Sequence, residues 1–248
     1  RRHPLLPLVC LWIAAIAYFA IAEDRFLREQ NITSMLEQNA SLFVVSMAAT
    51  LILLTGAVDL SVGGMLALVG LVLTTGNSGL PPWLACVLTV LAGGALSAAF
   101  NGLPVGLANM NPFVVTLGTA AVFFGVANIL TDANTQVIED PALINALASN
   151  TVGPFPVAVL VMVAVLAAFW WMLRYSYLGR NIYAVGGNPD AATLAGISVA
   201  TVRIIAFALL GLSAGLAAIL EAGQLSSVAP TSGVGLELQA VAAVLLGG

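Results

Sequence analysis

Long apolar runs alternate with short polar segments along the chain, and most of the runs are long enough to cross a lipid bilayer as a helix. Eight runs are predicted as membrane helices, at about residues 5–22, 40–58, 62–76, 82–100, 113–131, 153–173, 204–220 and 236–248. The apolar positions lack the alternation that is typical of a membrane β-barrel. The pattern therefore predicts an all-α polytopic membrane protein with broken helices, formed by a single transmembrane domain over residues 1–248.

Composition supports a membrane protein and excludes several kinds of catalysis. Hydrophobic residues make up 60% of the 248 positions and charged residues only 7%, whereas soluble domains carry about 25% charged residues. All seven cations are arginine, so a phosphate-binding loop, which needs a lysine, is excluded. One histidine is too few for a two-histidine metalloprotease site. We therefore expect no catalytic residue, metal or cofactor in this chain, and we expect the bilayer, rather than nucleic acid, as its environment.

The placement of arginine predicts the orientation of the chain. Five arginines fall in two regions, the N-terminus and the loop 174–203: Arg1, Arg2, Arg174, Arg180 and Arg203. Because cytoplasmic loops are enriched in arginine, and six predicted spans separate the two regions, both are predicted to be cytoplasmic. The acidic segments 23–38 and 132–152 then lie outside. The count of six spans holds only if the first apolar run is a retained membrane span and not a signal peptide. It also requires two separate helices, and not one kinked helix, around residues 58–62.

One acidic residue interrupts the apolar sequence between the second and third runs. Asp59 follows about nineteen apolar residues, and Ser61 begins the next run. A carboxylate in such a position is costly unless it faces a partner, water or a helix end. Asp59 can cap a helix that restarts at Ser61 by accepting hydrogen bonds from free backbone N–H groups. The alternative is direct contact with a solute or an ion, because broken helices line transport routes in transporters.

Other polar positions could share that route. Glu221 ends the seventh run before a Gly/Ser/Pro break, and Glu237 lies in the eighth run, so residues 204–248 resemble a diverged repeat of residues 40–76. Asn111 and Phe113 offer an amide and an aromatic ring for a neutral polar solute, although Asn-Pro is also a common helix start. The candidate translocation path is Asp59, Ser61, Asn111, Phe113 and Glu221. A proton- or sodium-coupled transporter would use Asp59, Glu221 and Glu237 as its coupling sites.

The loop 174–203 contains a predicted short helix over residues 190–196. Asn188 and Pro189 form a plausible start, Asp190 suits the first turn, and Gly196 is a plausible stop. A short helix in a basic loop between two membrane helices is predicted to be a docking element. Arg180 and Arg203 either pair with acids of a partner or serve only as cytoplasmic anchors.

Several motifs resemble one family, the permease subunits of bacterial ATP-binding-cassette (ABC) sugar importers of the ribose, xylose and arabinose type. These motifs occupy residues 54–64, 111–118, 178–188, 191–197, 225–233 and 237–248, in the order and spacing of the family. The resemblance implies the ABC importer permease fold. Family members continue past the Leu-Leu-Gly-Gly sequence at residues 245–248, so the chain is expected to be a fragment.

The resemblance also implies partners. Cytoplasmic ABC ATPase subunits would bind the ATP, an extracytoplasmic solute-binding protein would deliver a monosaccharide, and the permease would work as a homodimer or with a paired permease in the inner membrane. The implied coupling residues are Gly187, Asn188, Asp190, Ala191, Ala192, Ala195 and Gly196. Asp replaces the glutamate of the broader ABC loop motif at position 190, and the downstream proline of that motif is absent near residues 206–208.

Alternatives remain open for the cargo and for the function. An ABC permease of this type could carry a nucleoside, inositol, a furanose signalling molecule or a branched-chain amino acid. A non-transport membrane scaffold would also satisfy the apolar pattern.

Overall fold

The computed structural model of the chain describes residues 6–74, 79–148, 151–152 and 155–247. Arg1 and Arg2, and the predicted span ends at 5, 75–76, 153 and 248, lie outside these residues. The chain forms two compact units, Arg1–Asn39 and Ala40–Gly248.

The helices, in chain order, are α1 Leu6–Ala22, α2 Glu29–Leu54, α3 Val62–Thr74, α4 Pro82–Ser97, a π turn Ala98–Gly102, α5 Leu103–Leu107, α6 Pro112–Thr131, α7 Pro141–Ala148, α8 Val157–Tyr175, α9 Tyr177–Gly187, α10 Pro189–Leu194, α11 Val199–Leu225 and α12 Leu236–Gly247. Four two-residue strands are β1 Gln136–Val137, β2 Thr151–Val152, β3 Phe155–Pro156 and β4 Ser227–Val228.

Among the described residues, five helical segments are long and apolar enough to cross a membrane: Glu29–Leu54, Pro82–Leu107, Pro112–Thr131, Val157–Tyr175 and Val199–Leu225. Three shorter apolar helices are Val9–Ala22, Val62–Thr74 and Leu236–Gly247. Each of the eight predicted runs thus contains an apolar helix. The all-α polytopic prediction is confirmed.

Helix α2 begins earlier than the apolar pattern predicts. The predicted run starts at residue 40, but the helix starts at Glu29, inside the polar segment 23–38. The side chains of Thr33 and Asn39 donate hydrogen bonds to carbonyls four residues earlier, at 2.6 Å from Glu29 O and 2.8 Å from Met35 O. Helical geometry therefore continues where apolarity stops, because the backbone hydrogen bonds of a helix do not require apolar side chains.

The fourth apolar helix is longer than the predicted span 82–100, because residues 101–107, which fall between two predicted spans, are also helical. The helix passes through the π turn and continues as α5 to Leu107. The wider turn adjoins Pro104, which has no N–H and would crowd the carbonyl of the preceding turn in a regular α-helix. The backbone N–H of Leu103 bonds to the carbonyl of Ala98, five residues back. The π turn thus carries the helix past a residue that normally ends or kinks one.

Helix α11 is the centre of the second unit, and α8 lies at its edge. In the most apolar stretch of α11, 56% of residues are buried, compared with 6% for α8. The buried core around α11 includes Phe207, Leu210 and Ala214, together with Val62 and Met65 of α3. The exposed apolar residues of α8, such as Leu166 and Trp170, therefore suit a lipid-facing surface.

Glycines allow α4 and α11 to approach each other closely. A side chain on Gly93 would overlap the carbonyl oxygen of Gly211, and one on Gly211 would overlap that of Gly93. A Cβ on Gly215 would lie 2.6 Å from the Cα of Val90. Backbone-to-backbone contact of this kind is typical of membrane helices that pack through small residues.

We expect Gly93→Ala to lower stability by about 1–3 kcal/mol, because the added methyl group meets rigid backbone that no rotamer change can move aside. Thermal unfolding in detergent measures the effect. Gly125→Ala on α6 is the matched control, since nothing lies within 4 Å of a Cβ added there. Equal melting temperatures for the two variants would contradict the close contact between α4 and α11.

A short strand pair joins two polar segments that are far apart in the sequence. β1 pairs antiparallel with β4, with Gln136 opposite Val228 and Val137 opposite Ser227. The acidic segment 132–152, predicted only as a polar loop, therefore contains a strand contact to the Gly/Ser/Pro break after α11, as well as the helix α7. Two-residue strands carry too little alternation to be recognised from sequence.

Candidate functional site

The first candidate site lies in the break between α2 and α3. Helix α2 ends at Leu54, Gly56 adopts a φ of 78°, and residues 57–61 have no regular structure before α3 starts at Val62. A left-handed residue just after the last turn is the usual way in which a helix ends. The break is thus real, and the two predicted runs are separate helices.

Asp59 caps the second of these helices, as predicted. Its Oδ1 accepts hydrogen bonds from the backbone N–H of Ser61 at 2.6 Å and from the Ser61 hydroxyl at 2.7 Å. Asp59 is 6% exposed and Ser61 is fully buried. A buried carboxylate is tolerated where hydrogen bonds and a helix start stabilise its charge.

A third residue, Asn101, completes this cluster and was missed by the sequence analysis. Its side-chain amide lies 3.1 Å from Asp59 Oδ2 and 2.7 Å from the Ser61 hydroxyl oxygen. Asn101 is fully buried on the π turn. Among the described residues, its own Oδ1 has no hydrogen-bond partner. A buried amide next to an apolar run is the signal that could have found it, but the predicted spans 82–100 and 113–131 leave Asn101 outside every helix.

A further hydrogen bond ties the break to α6. The hydroxyl of Thr116 donates to the carbonyl of Val58 at 3.4 Å. The segment that interrupts α2 and α3 is therefore held by α6 and by the π turn after α4. Asp59, Ser61 and Asn101 form what we call the polar cluster, a buried anchor for the broken helix.

The other predicted path residues lie apart from the polar cluster. Asn111 caps α6, with its Oδ1 accepting from the N–H of Phe113 at 2.9 Å. Both residues are exposed, Phe113 at 53%. In the described part of the chain, neither shares a hydrogen bond with the polar cluster. Glu221 lies near the end of α11, where Ser232 of the following break hydrogen-bonds its carboxylate.

The break after α11 meets the start of α3, which the sequence did not predict. A Cβ on Gly63 would overlap the carbonyl oxygen of Gly233 and would lie 2.5 Å from Oε2 of Glu237. That Oε2 is buried and has no hydrogen-bond partner among the described residues. The first turn of α3 therefore packs against Glu237, while the polar cluster holds the residues just before that turn.

The second candidate site is the loop 174–203, and its predicted short helix is confirmed as α10, Pro189–Leu194. Asn188 caps it, with Oδ1 accepting from the N–H of Ala191 at 3.0 Å, and Pro189 occupies the first turn. Gly196 has a φ of 82°, and the N–H of Ile197 bonds back to Ala192 O at 2.9 Å. The longer helix α9, which precedes α10, was not predicted.

Most of the predicted coupling residues form an exposed surface: Gly187, Asn188, Asp190, Ala191, Ala195 and Gly196. Ala192 differs, because it is 4% exposed and packs inward with Ile182 and Val202. Leu194, which the sequence analysis did not name, is 91% exposed at the end of α10. A single exposed apolar side chain is common on protein surfaces, but this one stands on the helix that is predicted to dock and is free to contact a partner.

The three arginines of this loop differ in their surroundings. The guanidinium of Arg180 lies 4.3 Å from the ring centre of Tyr177, and that of Arg174 lies 5.7 Å from the ring centre of Tyr175. Arg203 instead lines a cleft beside α10 with Asp190 and Asn109. A cation–π contact with a tyrosine ring stabilises the charge of an arginine without a carboxylate partner.

Comparison with known proteins identifies the class of protein. A sequence-family profile described as "Branched-chain amino acid transport system / permease component" matches residues 31–248. The chain is 35% identical to the D-allose transport system permease protein of Escherichia coli K12 over 240 residues, which cover 96% of this chain and 73% of that protein. It is 36% identical to the ribose import permease protein of Bacillus subtilis 168 over 252 residues, covering 98% and 75%.

A third relative is the fructose import permease protein of Rhizobium meliloti, at 34% identity over 253 residues, which cover 98% of this chain and 70% of that protein. No solved structure matches the chain significantly. A helical fold with broken membrane helices agrees with a membrane transport permease. The chain belongs to the family of transport-system permease components that the profile describes. The resemblance to sugar-importer permeases is confirmed, and the chain is a multi-pass membrane protein.

Proposed function

We propose that the chain is the membrane-spanning subunit of an ABC importer that moves a monosaccharide, delivered by an extracytoplasmic binding protein, across the inner membrane. The observation that carries this proposal is the similarity along nearly the whole chain to permeases whose names specify D-allose, ribose and fructose, at 34–36% identity. The family description names branched-chain amino acids, so these amino acids are the alternative cargo.

The N-terminus and the loop that holds α9 and α10 face the cytoplasm in this proposal. The supporting observation is the concentration of arginine in these two regions. The acidic segment with α7 and β1 then faces outward, where the binding protein docks. This orientation places the exposed side of α10 within reach of a cytoplasmic protein.

The energy comes from separate ATPase subunits, which bind the ATP, so this chain needs no cofactor of its own. The exposed coupling residues and Leu194 form the contact with the ATPase. Ala192 points the other way and fixes α10 to the membrane domain, because its methyl group is buried beside Ile182 and Val202. Movement of the ATPase pair is therefore passed to the helices instead of only bending the loop.

The membrane helices respond by exposing a central path alternately to the two sides. A homodimer, or a paired permease, provides the two halves that move. The polar cluster keeps α3 attached to the π turn during this movement, since its hydrogen bonds link residues 40 and 42 positions apart in sequence. The hydrogen bond from Thr116 to Val58 attaches the same segment to α6. Asp59 thus serves to hold the broken helix, while its place on the translocation path stays a prediction.

Reconstitution tests this function. The chain is purified with the ATPase and the binding protein encoded beside it, and uptake of labelled ribose, allose and fructose into proteoliposomes is measured with ATP inside or outside. We expect uptake of at least one sugar that requires both ATP and the binding protein. Competition by excess leucine instead of by sugar would assign the amino-acid alternative. Uptake that is independent of ATP but is abolished by an uncoupler would show an ion-coupled transporter and overturn the proposal.

A further inference from the structure

The last turn of α9 contacts the end of α2 through backbone alone. Gly186 lies so close to α2 that any side chain there would overlap the carbonyl oxygen of Leu54. The carbonyl carbon of Leu54 would lie 3.0 Å from the added Cβ, and the Cα of Thr55 would lie 3.7 Å from it. Contact between two main chains cannot be absorbed by a change of rotamer, so movement of one segment displaces the other.

Buried side chains reinforce this contact. Ile182 and Val185 of α9 are fully buried and form one apolar cluster with Leu51 of α2. Ala192 of α10 and Val202 of α11 belong to the same cluster. The opposite face of α9 is exposed at Tyr183, which is 53% accessible. Helix α9 therefore connects the exposed α10 on one side to the end of α2 on the other.

The end of α2 is a sensitive position, because the helix stops there and the break begins. Leu54 is the last residue of α2, and Thr55, which follows it, is 2% exposed. Asp59 lies five residues beyond Leu54 and is held by Asn101 through the polar cluster. A shift of α2 along its axis therefore acts directly on the segment that interrupts the two helices.

Resting on the proposed function, we infer that the contact between Gly186 and Leu54 is the point at which ATPase-driven movement of α10 and α9 enters the membrane domain, and that Gly186 is a positioning residue for transport. The receiving helix is α2, at its break. Helix α8 also packs against this cluster, through Phe169 and Met172, but none of its described residues is buried. Gly187, the neighbouring glycine, is exposed and has nothing within 4 Å of an added Cβ.

The test compares Gly186→Ala with the matched control Gly125→Ala on α6, where nothing lies within 4 Å of an added Cβ, in the complete complex with its ATPase and binding protein. Solute imported per ATP hydrolysed is measured in proteoliposomes. We expect Gly186→Ala to lower this ratio about tenfold while ATP hydrolysis continues, a loss within the range observed for residues that couple distant sites. Gly125→Ala keeps the wild-type ratio. A purely structural role for Gly186 would change the amount of assembled complex and leave the ratio unchanged.

A second variant covers the case in which Gly186→Ala does not assemble. Val185→Ala removes buried contact with Leu51 but introduces no backbone overlap, so it is expected to assemble and to lower the ratio in the same direction. A wild-type ratio in Val185→Ala, or in assembled Gly186→Ala, overturns the inference. The proposed function fails separately, namely when the wild-type complex imports no sugar at all.

Discussion

Replacing Asn101 with leucine is expected to destabilise the protein by on the order of 3 kcal/mol, because the carboxylate of Asp59 then stays buried without one of its donors. The amide of Asn101 bonds both Asp59 Oδ2 and the Ser61 hydroxyl, and leucine keeps the size of the side chain but provides no donor. Thermal unfolding in detergent, followed by the loss of monodisperse protein, measures the change.

Asn128→Leu is the matched control for this prediction. Asn128 also lies in a membrane helix, but its amide donates a hydrogen bond within its own helix, to the carbonyl of Phe124 at 2.8 Å. We expect its replacement to change stability little. Adding Asp59→Asn to the Asn101→Leu protein is expected to recover part of the loss, since it removes the unpaired charge. A melting temperature equal to that of Asn128→Leu would contradict the role of the polar cluster.

Replacing Leu194 with aspartate is expected to weaken binding of the ATPase subunit about 30-fold, which corresponds to about 2 kcal/mol, the lower limit for a dominant interface residue. Leu194 is 91% exposed, so nothing inside the membrane domain depends on it. Binding is measured by titrating the ATPase onto the permease in nanodiscs, and uptake should fall in parallel.

Leu194→Met provides the control, because methionine keeps an apolar side chain of similar volume. It is expected to bind the ATPase nearly as well as the wild type. Thermal stability should be unchanged in both variants. If Leu194→Asp binds the ATPase with wild-type affinity, α10 is not the docking element.

Capping motifs could be predicted from the sequence because a cap involves residues only two or three positions apart. Asp59 and Ser61, Asn111 and Phe113, and Asn188 and Ala191 each form the expected hydrogen bond. The local choice of residue is enough to start a helix at these points. The translocation path assigned to Asp59, Ser61, Asn111, Phe113 and Glu221 stays a prediction.

The predicted helix boundaries were wrong where a helix contains polar residues, because the prediction followed only the apolar runs. Polar residues 29–39 continue α2 beyond the predicted span, and the Gly- and Asn-containing segment after residue 100 remains helical through a π turn. Helix α9 was overlooked because its polar residues suggested a loop. In each case the helix is supported by packing or by hydrogen bonds that a periodic pattern does not show.

The residues missed at the two candidate sites depend on contacts across the fold. Asn101 meets Asp59 from 42 positions away, and Gly186 meets Leu54 from 132 positions away, a separation given by their residue numbers. The sequence analysis chose Gly187 for coupling, although the neighbouring glycine makes the backbone contact. Leu194 could have been named as a candidate contact residue from the sequence, since it is a leucine within the short helix that is predicted to dock.

The sequence alone determined that this is an all-α membrane protein of the transport permease family, that its second and third helices are separate, and that a capped short helix lies in the arginine-rich loop. These features follow from the lengths of apolar runs and from neighbouring residues, which are local properties. Only the tertiary structure decided that Asn101 completes the polar cluster, that Glu237 packs at the start of α3, and that α9 rests on α2. Those contacts depend on which helix faces bury each other, because packing joins residues that chain order keeps apart.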